Sequence, residues 1–185
     1  MADVKTGVVF KHTVESLLDN TLRARKLLTP SLTEQLSLLG VEVDKPTDIP
    51  FFVWEQLLRV CSTAFAPNAP HGEALYALGQ AFVGGYVTTT IGKTTLMNGR
   101  LIGPKRMIMR MAETWSTLNN IYVVKTLDKG PREVEVEINV SGEVTQYSRG
   151  AFVGTLLALD AKDPRVDAVE LPNGGTRFNV VWSAP

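Results

Sequence analysis

The sequence of 185 residues is 44% hydrophobic and 21% charged, which is typical of a globular chain with one hydrophobic core, and we expect a single domain over 1–185. Its 19 Lys and Arg residues balance its 19 Asp and Glu residues, and this neutral charge argues against binding to nucleic acid, which requires a basic face. No apolar stretch is long enough for a membrane span or a signal peptide, and the one cysteine has no disulfide partner in the chain, so we expect a cytoplasmic protein.

The first part of the chain, about 1–118, has the apolar periodicity of helices. Apolar residues recur at spacings of three and four, and proline, serine and threonine mark helix starts. A loop containing prolines and aspartates interrupts this pattern at 41–50. The helix that begins at Glu73 is long and contains four glycines, which predicts that neighbours pack closely around it. The five predicted helices cover 13–26, 30–40, 52–65, 73–96 and a segment that opens at Gly103-Pro104.

The second part, about 119–185, changes to the alternation of β-strands. In 134–140, valine and isoleucine alternate with glutamate and asparagine, so one face of the predicted sheet is buried and the other is solvated. A helix at about 148–161 separates two pairs of strands. The order predicts an α+β fold in which an N-terminal helical half of about five helices packs on a C-terminal ββαββ antiparallel sheet. The predicted strands are 121–127, 134–140, 166–171 and 176–182.

Residues able to carry catalysis or to hold a metal are scarce. His12, His71 and Cys61 are isolated from one another in the sequence, whereas a metal site needs several convergent ligands. No serine or cysteine has the sequence context of an activated nucleophile. The segment Gly92-Lys93-Thr94 is similar to the end of a phosphate-binding loop, but Val87 stands where that loop requires glycine. We therefore expect no catalytic residue, no metal, no cofactor and no enzymatic activity.

Three features have both a structural and a ligand-binding interpretation. A stripe of Met107, Met111 and Trp115 is typical of a core and also of a cavity wall. The pair Asn119-Asn120 either forms a turn or presents amides to a ligand. Arg149 lies near a predicted helix start, where it is either a structural hydrogen-bond donor or part of an anion site.

A set of short segments spread over nearly the whole chain forms a recognisable pattern. The segments are Leu28-Thr29-Pro30, Leu39-Gly40, the helix with Trp54, Ala77-Leu78-Gly79 to Phe82, Gly84 to Tyr86, Gly103-Pro104-Lys105-Arg106, Asn119-Asn120, Tyr147 with Arg149-Gly150, and Trp182. Together they resemble an uncharacterised family of paralogous proteins of similar length from myxobacteria, a domain of unknown function. The resemblance assigns no activity.

The order of helices followed by ββαββ is also similar to the four-vinyl-reductase-like and heme-nitric-oxide-binding sensory domains. The heme-binding group places Tyr, Ser and Arg at alternate positions, whereas Tyr147, Ser148 and Arg149 are consecutive here. Neither histidine has the sequence context of a heme ligand. The resemblance therefore implies a sensory fold without predicting a heme.

Two functions follow from these features. The resemblance implies a non-catalytic regulatory or sensory module that binds a small apolar or amphipathic ligand in a cavity between helices and sheet. The alternative is a protein-interaction or scaffold module that acts through an exposed surface as a homodimer, with Trp54, Arg106 and Arg110 at the interface. The residues expected to bind the ligand are Phe82, Tyr86, Met107, Met111, Trp115, Asn120, Tyr122 and Arg149.

Overall fold

The computed structural model describes residues 7–183 and has an α+β fold, as the sequence predicts. Helices occupy the first part of the chain, and a four-stranded antiparallel sheet with one connecting helix occupies the last part. The helices are α1 (Lys11–Glu15), α2 (Pro30–Leu38), α3 (Phe51–Phe65), α4 (His71–Tyr86), α5 (Thr90–Ile102), α6 (Pro104–Met109), α7 (Met111–Ser116) and α8 (Glu143–Ala158). The strands are β1 (Val8–Val9), β2 (Ile49–Pro50), β3 (Val124–Gly130), β4 (Glu133–Ile138), β5 (Lys162–Glu170) and β6 (Thr176–Ser183).

The sheet has the strand order β3-β4-β6-β5, and each neighbouring pair is antiparallel. Along β4 the apolar side chains are buried while the glutamates between them are half-buried, which confirms the predicted alternation. Helix α8 connects β4 to β5 and covers the buried face, where the rings of Phe152 and Phe178 lie 5.1 Å apart. One hydrophobic cluster joins the sheet to the helices, so α8 is the element that positions the two parts against each other.

Helices α4 and α8 are in direct backbone contact through glycines. A β-carbon added at Gly79 of α4 would collide with the carbonyl oxygen of Tyr147. A β-carbon added at Gly150 of α8 would collide with the carbonyl oxygen of Tyr76. Glycine costs about 1 kcal/mol relative to alanine inside a helix, so its use at both contact points is explained by this close approach. The predicted close packing around the glycine-containing helix is therefore present at α4.

The sequence predicted one helix over 73–96, but the structure has two. Helix α4 ends at Tyr86, and α5 begins at Thr90 after a turn. The side chain of Thr89 caps α5 by accepting a hydrogen bond from the backbone N–H of Gly92 at 3.0 Å. The hydroxyl of Thr88 donates to the carbonyl of Gly85 at 2.7 Å. Because these threonines lie within a continuous apolar pattern, the periodicity conceals the break.

Two other predicted helices also differ from the observed ones. The helix predicted over 13–26 begins at Lys11, continues from α1 as a π-helix (Ser16–Leu22) and a 3-10 turn (Arg23–Arg25), and ends at Lys26 with φ 59°. The helix predicted to open at Gly103-Pro104 is divided into α6 and α7 at Arg110, whose φ of −97° and ψ of 13° depart from helical values. Within residues 7–183, no helix is long and apolar enough to cross a membrane.

The connecting helix begins earlier than the sequence predicted. The expected bounds were 148–161, whereas α8 runs from Glu143 to Ala158. Gly142, with φ 84°, turns the chain out of β4 and permits a helix start five residues sooner. Tyr147, Ser148 and Arg149 consequently lie in the second turn of the helix and not at its N-terminus. The anion-site interpretation of Arg149 loses its geometric basis.

Candidate functional site

A cavity of about 90 Å³ lies inside the helical part of the molecule. Its walls come from α4, α5, α6, α7 and α8, with further residues from β1, α1, α3 and the segment between α7 and β3. Among the described residues, none from the four-stranded sheet lines this space. The sequence analysis expected the cavity to lie between the helices and the sheet. This expectation was wrong, because α8 lies between the cavity and the sheet.

Six residues that the sequence analysis assigned to ligand binding line this cavity together. Helix α4 contributes two of them, α6 and α7 contribute three, and the segment before β3 contributes the last. The stripe of Met107, Met111 and Trp115 is buried and also lines the cavity. It is therefore part of the core and part of the cavity wall at the same time. The six residues are Phe82, Tyr86, Met107, Met111, Trp115 and Tyr122.

Asn120 does not line the cavity, but its neighbour Asn119 does. The side-chain oxygen of Asn120 accepts a hydrogen bond from the backbone N–H of Val8 at 2.7 Å. The side-chain oxygen of Asn119 accepts from the backbone N–H groups of Ile121 and Tyr122, both at 2.9 Å. Asn119 therefore holds the turn through its side chain and also lies at the cavity wall.

Arg149 also lies away from the cavity wall. Its Nε donates to the backbone carbonyl of Val166 at 2.9 Å, and its Nη1 donates to Gln146 Oε1 at 2.8 Å. Its guanidinium lies 5.6 Å from the ring centroid of Tyr76. These contacts tie α8 to β5 and to α4, so Arg149 has the structural donor role that the sequence analysis weighed against ligand binding. Ser148, the preceding residue, lines the cavity instead.

Sequence reasoning missed the face of α8 that closes the cavity. Tyr147, Ala151 and Thr155 recur at intervals of four on this face, with Ala158 and Leu159 on the following turn. The late predicted start of the helix hid this face, since Tyr147 fell outside the expected element. The signal that would have found it is the row of small residues at this spacing, which leaves room beside a helix.

Aromatic rings pack against one another around the cavity. Phe82 lies between two tyrosines, with ring centroids 6.0 Å from Tyr86 and 5.8 Å from Tyr147. The ring of Trp115 lies 5.2 Å from that of Tyr122. Such aromatic pairs contribute about 0.5–1.5 kcal/mol each beyond the apolar area that they bury. Packed aromatic side chains therefore form much of the cavity wall.

Two tyrosine hydroxyls at this wall are buried without a hydrogen bond. Within residues 7–183, neither Tyr86 Oη nor Tyr147 Oη has a hydrogen-bond partner. Burial raises the pKa of Tyr86, and the hydroxyls of Thr95 and Thr117 offset part of that rise without making a hydrogen bond of normal geometry. Burial also raises the pKa of Tyr147 and of Tyr122. All three side chains are therefore neutral phenols that can donate a hydrogen bond.

Helix α5 covers the cavity while burying little of its own surface. Its residues Gly92, Thr95 and Leu96 line the cavity. The buried residues of α5 are Gly92 and Gly99, so its attachment to the rest of the molecule uses almost no buried side chain. Its outer face carries Ile91, Met97 and Leu101, which are 54%, 68% and 85% exposed. Helix α5 is thus the least anchored part of the cavity wall.

The three residues expected at a protein interface do not share one surface. Trp54 is 2% exposed and lines the cavity, so its position on an exposed face is corrected: its ring packs against Tyr147 with centroids 5.9 Å apart. Arg106 and Arg110, in contrast, are exposed.

The charged side chains and histidines of the described residues lie away from the cavity. Among the described residues, no charged side chain and no histidine lines the cavity. His71 Nε2 lies 2.5 Å from Glu143 Oε2, and Arg59 donates to Glu143 Oε1 from Nε at 3.1 Å and Nη2 at 2.6 Å. Residues 7–183 contain no group of three or more His, Cys, Asp or Glu side chains that could hold a metal ion. The described wall of the cavity is therefore neutral, and its side-chain polar groups are hydroxyls, an amide and indole N–H groups.

Comparison with known proteins identifies both a family and a fold. The model of a family described as "Protein of unknown function (DUF2378)" matches residues 7–183. No curated protein sequence matches this chain.

Several solved structures share the fold at low sequence identity. An oxygen-binding H-NOX domain related to soluble guanylate cyclases has a TM-score of 0.69 at 16% identity, with 95% of each chain covered. A structure described as "Modulating Heme Redox Potential Through Protein-Induced Porphyrin Distortion" has a TM-score of 0.70 at 15% identity, with 95% of each chain covered. An Fe(II) unliganded H-NOX protein from K. algicida has a TM-score of 0.65 at 10% identity, covering 95% of this chain and 97% of that one. The chain therefore has the H-NOX fold, and the expected similarity of layout is confirmed.

The residues at the cavity do not fit a heme. Heme iron is held by an axial His, Cys, Met or Tyr ligand, and among the described residues the wall contains neither histidine nor cysteine. Burial raises the pKa of its tyrosines, which disfavours the phenolate that binds iron. Although Met107 and Met111 are present, the wall offers no cation to the two carboxylates of a heme. Its volume of about 90 Å³ is also below the range of about 300–1,000 Å³ that drug-sized ligands occupy.

Proposed function

The chain belongs to the DUF2378 family, and from that premise we propose that it is a non-catalytic sensory or regulatory module of the cytoplasm that binds a small apolar or amphipathic molecule in the cavity beneath α5. The observation that carries this proposal is the cavity itself. The cavity is present without a ligand and is lined by aromatic rings. Among the described residues, no charged side chain lines it. The shared fold supports it, since the neighbours include an oxygen-binding H-NOX domain.

The position of α5 supplies a route from binding to signalling. A ligand in the cavity contacts Thr95 and Leu96 on the inner face of this helix. Because α5 buries so little of its own surface, two positions of this helix differ by few contacts, and a ligand that prefers one position shifts the population toward it. The exposed apolar residues on its outer face then move with it and present the change to a partner. The expected output is thus a displacement of α5 and not a chemical reaction.

Xenon tests whether the cavity accepts an apolar guest, because a dry apolar cavity binds this gas. Titration of the intact protein with xenon under pressure, followed by xenon NMR, is expected to give saturable binding. The variant Ala158→Leu places a larger side chain in the cavity wall and is expected to abolish this binding. The matched control Ala112→Leu adds the same atoms at an exposed site on α7 and is expected to leave it unchanged. Saturable binding that survives Ala158→Leu would contradict the proposal.

A second function, a protein-interaction module that forms a homodimer, is favoured by the exposed side chains of α5. Met97 and Leu101 present apolar surface close to Arg100 on the same helix. If this face pairs two copies of the chain, Leu101→Gln will shift the sedimentation of the protein from dimer to monomer. Leu38→Gln is the control, since Leu38 is 83% exposed on α2. A monomeric wild-type protein at high concentration would exclude this function.

A further inference from the structure

We propose that the ligand is a small uncharged molecule with one hydrogen-bonding polar group, and that the hydroxyls of Tyr147 and Tyr86 recognise this group. This inference rests on the proposed function and deepens it, because it names the chemical class that the cavity accepts. It depends on three independent features of the cavity: the unpartnered hydroxyls, the absence of charge at its described wall, and its size.

The unpartnered hydroxyls are the first feature. Tyr147 and Tyr86 are 6% and 8% exposed, and both line the cavity. Burial of a hydroxyl without a hydrogen-bond partner is unfavourable, and most buried polar groups in folded proteins are paired. Two such groups at one cavity are therefore unusual. A ligand that accepts a hydrogen bond from such a hydroxyl offsets this unfavourable free energy, which favours binding of that ligand.

The chemistry of the wall determines the charge of the ligand. Because Tyr147 and Tyr86 are neutral phenols, each donates a hydrogen bond to an acceptor such as a carbonyl, ether or hydroxyl oxygen. The other wall residues are apolar, apart from the threonine, serine and asparagine side chains, the hydroxyl of Tyr122 and the indole N–H groups of two tryptophans. A charged ligand would lose its hydration without meeting a counter-charge at the described wall, which is strongly unfavourable. The acceptor group therefore belongs to an uncharged molecule.

The volume limits the ligand further. A cavity volume of about 10–15 Å³ is enough for a single water molecule, and a cavity of about 150 Å³ accommodates benzene. The observed cavity of about 90 Å³ lies between these values. A short-chain ketone or alcohol has the required size, one polar group and an apolar remainder. With α5 in its observed position, the site selects molecules of about this size.

Two probes of matched shape test the hydrogen bond directly. The ketone 2-butanone and the alkene 2-methyl-1-butene have the same carbon skeleton apart from the exchange of the carbonyl oxygen for a methylene group. Their affinities for the intact protein are measured by ligand-observed NMR in sealed tubes. Because transfer from water into an apolar cavity itself favours the alkene, the measured quantity is the ratio of the affinity for 2-butanone to the affinity for 2-methyl-1-butene, which we call the preference for 2-butanone. We expect this ratio to be about threefold to tenfold higher in the wild type than in a variant without the two hydroxyls, which corresponds to about 0.7–1.4 kcal/mol.

Tyrosine-to-phenylalanine variants identify the responsible hydroxyls. The double variant Tyr86→Phe/Tyr147→Phe is expected to show a preference for 2-butanone about threefold to tenfold lower than that of the wild type, and to keep its affinity for 2-methyl-1-butene. The control Tyr76→Phe lies on the same helix as Tyr86 outside the cavity wall and is expected to keep the preference. The double variant is also expected to raise the Tm of the ligand-free protein, because it removes two buried hydroxyls that have no partner.

The outcomes separate this inference from the proposed function. If xenon binds but 2-butanone does not, or if the double variant has the same preference for 2-butanone as the wild type, the inference fails while the cavity function stands. If xenon, 2-butanone and 2-methyl-1-butene all fail to bind, both fail. A fall in the Tm of the double variant would show that the hydroxyls have protein partners, and this result would also overturn the inference.

Discussion

Helices α8 and α5 both form walls of the same cavity, but they are attached to the rest of the molecule in different ways. Helix α8 contacts α4 through its backbone, with Gly79 and Gly150 permitting the close approach, and it packs on the sheet through Phe152. Helix α5 also approaches its neighbours through glycines, Gly92 against the end of α4 and Gly99 against Leu159. In α8 many larger residues are buried in addition to glycine. In α5 the two buried residues are both glycines.

From this difference we expect a glycine contact to hold a helix firmly only when buried side chains accompany it. Removal of apolar surface from water provides about 25 cal/mol per Å², and a glycine supplies almost none of that area. The α8 side of the cavity is therefore expected to be rigid and the α5 side movable. Such an arrangement suits a sensor, in which one wall recognises the ligand and the other reports its presence.

The largest expected effect comes from breaking the rigid side. Gly79→Ala places a β-carbon against the carbonyl of Tyr147 and forces α4 and α8 apart, so the free energy of unfolding should fall by about 3 kcal/mol in urea denaturation. The control Gly84→Ala lies on the same helix with open space around the added carbon, and it should raise stability by up to about 1 kcal/mol. Equal effects of the two substitutions would contradict the direct backbone contact.

A smaller effect is expected at the N-terminus of α8, where Glu143 joins this helix to α3 and α4. Burial alone would raise the pKa of Glu143, but hydrogen bonds from Arg59 and His71 lower it overall. Glu143→Gln should therefore reduce the free energy of unfolding by about 1 kcal/mol at pH 7, since it weakens these charge-assisted bonds.

The pH dependence of this loss distinguishes the ion pair from a packing defect. The folded pKa of Glu143 lies below its ordinary value of 4.5, so the stabilisation is fully present above that value. It disappears as the pH falls through the lowered pKa, and the curves of wild type and Glu143→Gln should converge there. The exposed Glu34 makes no ion pair among the described residues, and Glu34→Gln should have no effect. A loss that persists unchanged in acid would contradict the pairing.

The smallest global effect is expected on the movable side. Gly92→Ala places a β-carbon against the carbonyl of Tyr86, but α5 can shift away with little loss of buried surface. We expect a decrease of about 1 kcal/mol or less in the free energy of unfolding, partly offset by the higher helix propensity of alanine. Hydrogen exchange should accelerate in residues 90–102 and stay unchanged in α8. Lys93→Ala, at the next exposed position, is the control.

The sequence correctly predicts elements whose hydrophobic pattern follows from one buried face. It does not predict features that depend on contacts between distant parts of the chain. The alternation in β4 identifies both the strand and its buried side, and the helical apolar pattern identifies five residues of the cavity wall, with Tyr122 as the sixth residue from the segment before β3. The choice between Asn119 and Asn120 depends on contacts with Val8, a residue more than a hundred positions away. No local pattern contains that information.

Helix boundaries failed for a related reason. The break between α4 and α5 depends on the cap that Thr89 provides, and the early start of α8 depends on the positive φ of Gly142. Threonine and glycine occur in both helices and turns, so neither residue decides alone. The consequence for the site was the loss of Tyr147 and the small residues that follow it on α8.

Hydrogen exchange with and without a saturating small guest tests the central claim most directly, because it compares the two walls of one cavity. With xenon or 2-butanone bound, the amides of α5 should exchange more slowly, while those of the α8 segment 147–155 should change little. Unchanged exchange throughout α5 under saturating guest, or equal protection of both helices, would contradict the account.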